Sequence, residues 1–213
     1  MKKITFTLLF LALATVMYAQ DFHFGVTAGP NLSTVKLNMK SGDVDQPKSV
    51  IGFHIGAFAE WSLTDKISLR PELSYQTVGY RYPPEEELYG YRHKSNYISL
   101  PVMVRYSISE KLKVGLGPYV SAKLVAKYKY IPSSEEDKEN AEEGWFDYTD
   151  VDNDEFNPVD YGLCAGVGYQ VLPKLGVALG YNYGLSNIFN TEGTDGSKAH
   201  NRYFRLGLSY TIR

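Results

Sequence analysis

From Phe22 onward, apolar side chains recur at every second residue in eight separate runs, and this constrains the fold more than any other feature of the chain. Period two is the signature of a strand, because successive Cβ atoms point to opposite faces. The runs are Phe22 to Leu32, Phe53 to Leu63, Ile67 to Tyr75, Ile98 to Tyr106, Leu112 to Leu124, Tyr161 to Val171, Leu175 to Leu185 and Phe204 to Ile212. Their 46 in-phase positions hold no charged residue and no Ser, Thr, Asn or Gln. The 38 interleaved positions hold 12 glycines and seven charges: Glu60, Arg70, Glu72, Arg105, Lys113, Lys123 and Arg205. Eight half-polar strands joined in series imply an antiparallel barrel, either soluble with the apolar face inside, as in lipocalins, or in a membrane with that face outside.

The two faces differ in bulk, and that decides which one points inward. An eight-stranded barrel encloses an interior just wide enough for side chains to fill. A face with 12 glycines leaves room there for a few long charged side chains. The opposite face, rich in Phe, Tyr, Trp and Leu, suits hydrocarbon. This is the polar-in, apolar-out alternation of a transmembrane β-barrel. The aromatics also sort by height. Phe22, Phe24, Trp61, Tyr106, Tyr169 and Tyr210 fall near one end of the strands, and Phe53, Tyr75, Tyr161, Tyr181, Tyr183 and Phe204 near the other. Two girdles of amphipathic rings belong at two membrane interfaces.

Connections alternate as strictly as side chains. Three are tight, at Thr64 to Lys66, Ser107 to Lys111 and Leu172 to Lys174; four are long, at about 33–52, 76–97, 125–160 and 186–203. Short periplasmic turns and long extracellular loops are the outer-membrane pattern. It places both termini in the periplasm. A composition of 44% hydrophobic residues and a mean hydropathy of −0.27 excludes a helical membrane protein. Residues 1–19 stand apart: Lys2 and Lys3, an apolar stretch from Ile4 to Met17, then Ala19. That is the plan of a cleaved signal peptide, leaving 20–213 as the barrel. Pro30, Pro71, Pro101 and Pro118 lie inside strands and each lacks a ladder donor, so bulges or wet rim positions are expected there.

The segments FGVTAGPNLS (24–33), GFHIGAFAEWSLTDKISLRPELSYQ (52–76), YISLPVMVRYSISEKLKVGLGPYVSAKL (97–124), DYGLCAGVGYQVLPKLGVALGYNYGLSNI (160–188) and NRYFRLGLSY (201–210) resemble the PorT-like outer-membrane β-barrels of Bacteroidetes. The resemblance implies an outer-membrane barrel and a link, in some members, to secretion of surface proteins. It supplies no functional residue. Many outer-membrane barrels end in an aromatic residue, whereas this chain ends Thr211-Ile212-Arg213, with Tyr210 the nearest ring.

Chemistry could reside in three places. The first is the interior charge set. Glu60 and Arg70 are symmetric about one turn and Arg105 and Lys113 about the next, with Glu72 placed to bridge toward that basic pair. Buried charges need partners, so these seven residues are expected to plug the lumen. The second is His54, inward near the outer end, which with a loop serine would be the start of a hydrolase; no G-x-S-x-G accompanies it. Cys164, also inward, reads as a small filler. The third is the loop over 133–160, with 12 acidic residues against Lys138 alone, a net charge of −11 in a mature chain of −4. Its Asp150, Asp152 and Asp154 mimic the opening of a calcium loop, but Glu155 stands where that loop needs Gly. A weak surface calcium site is the most this supports, and no other cofactor is expected. Trp145, Phe146, Tyr148 and Phe156 in the same loop are candidates for anchoring it to the rim or to a partner.

The reading is therefore an all-β, eight-stranded antiparallel transmembrane barrel of the bacterial outer membrane, non-enzymatic, with a role in surface binding or in envelope or secretion assembly. Its expected partners are outer-membrane lipid and an envelope or secretion-system protein; no basic stripe for nucleic acid is present. The alternatives are an outer-membrane lipid-modifying enzyme or protease, and a narrow pore or small-ligand carrier.

Overall fold

In a computed structural model of the chain, the described residues are 22–38, 46–84, 90–131, 146–148, 156–190 and 197–212. The proposed signal segment lies outside them. The strands are β1 (Phe22–Asn38), β2 (Lys48–Ser62), β3 (Ile67–Tyr82), β4 (Gly90–Ser107), β5 (Leu112–Ile131), the short β6 (Phe146–Tyr148), β7 (Val159–Leu172), β8 (Leu175–Gly184) and β9 (Lys198–Thr211). Each pairs antiparallel with its chain neighbours, except that β6 only flanks the upper part of β5. The β1–β9 and β4–β5 ladders close the other eight into a barrel. Closure leaves no edge of unpaired N–H and C=O groups, the condition for a sheet in lipid. Among the described residues no helix is long and apolar enough to cross a membrane; strands do the crossing.

The apolar phase points outward. Ile51, Ile55, Leu73, Leu116, Tyr161, Leu179 and Leu206 are all more than half or about half exposed, and so are the girdle rings Phe53, Tyr169, Phe204 and Tyr210. Along β1 the outer apolar run, Phe22 to Leu32, matches the roughly 9–11 residues a tilted strand needs to cross hydrocarbon. Inward positions are polar and buried: Thr27, Asn31, His54, Glu60, Arg70, Glu72, Ser74 and Gln76.

The strands run well past this band into segments whose composition suggested loops. β5 has 20 residues and β4 has 18. Alternation persists there with its faces exchanged. On β1, Val35 and Leu37 are buried while Lys36 and Asn38 are exposed. On β3 and β4, Tyr80 and His93 are buried, and Arg81 and Lys94 lie on the other face. Below the boundary the solvent outside is hydrocarbon; above it the outside is water, so the barrel wall inverts its polarity. On β5 a bulge performs the inversion. Tyr97 pairs Lys123, but Asn96 pairs Val125, which leaves Leu124 as the extra residue and turns Lys127 and Lys129 outward.

No bulge falls at the four prolines, contrary to expectation. Register holds across each, and the ladder skips rungs toward one neighbour instead. Around Pro30, Ala28 pairs Leu208 and Asn31 pairs Arg205, with nothing between. Around Pro118, Pro101 pairs Tyr119 and Val104 pairs Leu116. Each of these two prolines follows a glycine, and a Cβ there would strike a carbonyl of the same neighbouring strand: Leu206 O at Gly29, Val102 O at Gly117. The missing donor and the missing side chain let two backbones approach where a rung is absent.

Candidate functional site

Two ionic clusters fill the lumen. In the first, nearer the turn end, Glu60 is the hub. It accepts from Ser68 Oγ at 2.8 Å, Arg105 Nη1 at 2.7 Å and Lys113 Nζ at 2.6 Å, and Arg70 lies at 3.8 Å. The expected Glu60–Arg70 pairing across the hairpin is present, but it is the loosest of these contacts. Arg70 stacks its guanidinium over the Phe58 ring at 3.7 Å. The expected symmetry of Arg105 and Lys113 about their turn fails by two residues: Arg105 pairs Gly115, and Lys113 pairs Ser107. The two cations still converge, because both reach Glu60.

In the second cluster, Glu72 accepts from Arg205 Nη2 at 2.5 Å. Glu72 therefore bridges to β9 and not, as expected, toward Arg105 and Lys113. His54 Nδ1 lies 2.8 Å from Asn31 Oδ1, a side-chain amide on β1. Asn31 also donates to Phe53 O at 3.1 Å and Thr77 O at 3.4 Å. Ser33 Oγ accepts from Gly79 N at 2.8 Å. These two side chains of β1 bridge the gap that a register shift between Ser49 and His54 opens in the β2–β3 ladder. Cys164 is buried with its thiol toward Gly117 O at 3.3 Å. A residual cavity of about 70 Å³ between the clusters is lined by His54, Arg70, Glu72, Arg105 and Arg205 among others. That is room for a few waters, and a second cavity of about 170 Å³ toward the turn end shares Arg70 and Arg105 with it and reaches Glu60 and Lys113.

Lys123 belongs to neither cluster. It stands higher, where its Nζ donates to Phe156 O at 2.7 Å. Between it and the ionic layer lies a layer of tyrosines. Tyr97 and Tyr203 pack with Val78, Gln76 Nε2 donates to Tyr203 OH at 2.9 Å, and Tyr119 OH donates to Asp160 at 3.1 Å. Asp160 also accepts from Ser186 Oγ at 2.5 Å and Asn201 Nδ2 at 3.0 Å. Above this layer sits a second apolar core, entirely beyond the outward apolar band: Val35, Leu37, Tyr80, Phe156, Ile188 and Ala199, flanked by Tyr82, Tyr91, Tyr128 and Phe189. His93 stacks on Phe156 at 4.6 Å and 13°. Burial, aided by the nearby Lys123 cation, pushes His93 down to about 3.

Of the loop residues singled out from sequence, Phe156 is thus an anchor, buried in this cap and bridged to Phe189. Phe146 and Tyr148 bound β6, whose backbone pairs Tyr128 and Ala126. Trp145, Asp150, Asp152 and Asp154 lie outside the described residues, and among the described ones no His, Cys, Asp and Glu group could hold a metal. The tyrosine layer and the cap escaped sequence reasoning because they lie where alternation changes phase. The usable signal was the inverted pattern itself, apolar Tyr80, Tyr82 and Tyr91 interleaved with Arg81 and Arg92.

The family described as outer membrane protein beta-barrel domain matches residues 18–190. Among solved structures, Neisserial surface protein A superposes with a TM-score of 0.51 at 17% identity, over 88% of this chain and 96% of that one. Ail of Yersinia pestis superposes at 0.45 and 16%, over 90% and 99%, and OprG of Pseudomonas aeruginosa at 0.43 and 10%, over 91% and 97%. None of the curated proteins matches. With a closed barrel of eight strands, an uncharged outer band and a family match over most of its length, this chain belongs to the outer membrane protein beta-barrel domain family.

Proposed function

We propose that this chain is a non-enzymatic integral outer-membrane barrel whose loop end faces outside the cell, with both termini periplasmic, and serves surface binding or envelope assembly. One observation carries the reading. Ionic clusters, a tyrosine layer and an apolar cap cross the lumen above a cavity at the turn end, which favours the outer wall and the loops as the surfaces that meet a partner. The narrower kinship with PorT-like barrels of Bacteroidetes, and with it a secretion-system partner, is part of this proposal and draws on the sequence segments quoted above. So is loop docking through Trp145, Phe146 and Tyr148, and weak calcium binding at Asp150, Asp152 and Asp154.

The test is affinity capture from native envelopes with the full chain and with a variant lacking 133–155, which keeps Phe156 and Asp160 in place. A specific envelope protein captured by the first and lost by the second supports loop-mediated binding. Equal capture moves the binding surface to the barrel wall. Steady single-channel conductance of the purified barrel in a planar bilayer would overturn the plugged reading in favour of a pore.

A further inference from the structure

Above the apolar band, the outer wall of β2 to β5 carries cations in lateral rows. Lys48 pairs Arg81, Arg81 pairs Arg92, and Arg92 pairs Lys129, so four consecutive strands place a basic residue at one height. One step lower, Lys94 pairs Lys127. Like charges directly opposite in a sheet are destabilising. Packing alone gives no reason for such rows, since the inward neighbours Tyr80, Tyr91 and His93 already fill the cap. Lys127 and Lys129 have interactions of their own, and nothing below rests on them. Arg81, Arg92 and Lys94 line an outer groove of about 310 Å³ with Ser49, Val50 and Ile51, where the β2–β3 ladder is interrupted. Within this set the Nε of Arg92 is buried without a hydrogen-bond partner.

Position selects the ligand. The groove opens on the outer wall, not into the lumen, and directly over the apolar wall formed by Ile51, Phe53, Ile98 and Leu124, which are 36–71% exposed. A ligand that fits both must be anionic at one height and apolar just below it. We infer that Lys48, Arg81, Arg92 and Lys94 form a headgroup site for a phosphate-bearing lipid of the surrounding leaflet, whose acyl chains lie along Ile51, Phe53 and Ile98. Arginine forks match phosphate oxygens bidentately, and a phosphate among Lys48, Arg81 and Arg92 would relieve the repulsion between these three cations. The inference rests on the proposed orientation, with the loop end at the outer leaflet, and is independent of any protein partner or conductance.

The test uses the full barrel in mild detergent, with lipid retention read by native mass spectrometry. Two probes are compared: lipid A carrying its phosphates, and the same lipid after phosphatase treatment. Wild type should retain the phosphorylated form and bind the dephosphorylated form at least ten-fold more weakly, a comparison that needs no variant. Arg81→Gln/Arg92→Gln/Lys94→Gln should lose at least ten-fold, with folding verified by heat-dependent gel mobility. A charge-matched control at the other end, Lys66→Gln/Lys111→Gln/Lys174→Gln, should lose nothing. Equal binding of both lipid forms, or equal losses in the two triple variants, overturns the site. So does a soluble sulfated polysaccharide that binds as tightly as the lipid, which would mark a polyanion surface without a lipid component.

Discussion

Glu60 on β2 and Arg105 on β4 belong to strands that do not pair, and their side chains meet at 2.7 Å across the lumen. With Lys113 from β5, they tie three parts of the wall through one carboxylate. Removing one partner of a buried pair strands the other charge at a cost of about 3 kcal/mol. Arg105→Ala should therefore lower stability, and Glu60→Gln should lower it further, because it leaves Arg105, Lys113 and Arg70 facing one another. Urea unfolding in detergent or vesicles measures both. Unchanged midpoints would mean that the plug does not stabilise the barrel.

The cap is a core of its own, and its stability should separate from that of the barrel. Phe156→Ala deletes a buried ring that touches His93, Tyr128 and Phe189, at a cost of about 3 kcal/mol. Hydrogen exchange should accelerate at 156–157 and 187–189 while amides within the apolar band stay protected. Uniform acceleration would show one cooperative unit.

His93 makes the same cap sensitive to acid. Its folded value of about 3 lies below the ordinary 6.5, so between these limits the opened cap binds the extra proton. Cap stability should be flat above pH 6.5 and fall as pH drops toward 3, by at most about 1.4 kcal/mol per pH unit. Near-UV circular dichroism of the tyrosine cluster, taken from pH 7 to pH 4, checks the direction. His93→Phe should flatten the profile if this group is responsible.

Glycines of the wall should differ sharply in tolerance. At Gly29 an added Cβ would strike Leu206 O, whereas at Gly180 the nearest atom, Ala165 O, stands 3.6 Å away. Gly29→Ala should impair refolding into detergent, and Gly180→Ala should refold like wild type. Gel-mobility assays distinguish them. Equal refolding would mean that the Pro30 gap is plastic enough to absorb a methyl group.

What the sequence determined by itself is local. Whether a strand residue faces in or out depends on its own position in a period of two. The uncharged outer band, the inward Glu60, Arg70, Glu72, Arg105, Lys113 and Arg205, and the alternation of turns and loops could therefore all be read from the chain. The loop-end limits of the strands are hidden at Leu32 and Leu124, because polarity inverts there while the strand continues to Asn38 and Ile131. Only the closed barrel decided which inward residues meet. Cross-lumen neighbours depend on stagger and register accumulated around eight strands, and a two-residue offset in one hairpin moves a charge to a new partner. Glu72 thus finds Arg205, far away in sequence, and Lys123 leaves the ionic layer for the cap. The basic rows of the outer wall arise in the same way: each cation is ordinary in its own strand, and only the pairing of four strands brings Lys48, Arg81, Arg92 and Lys129 to one height.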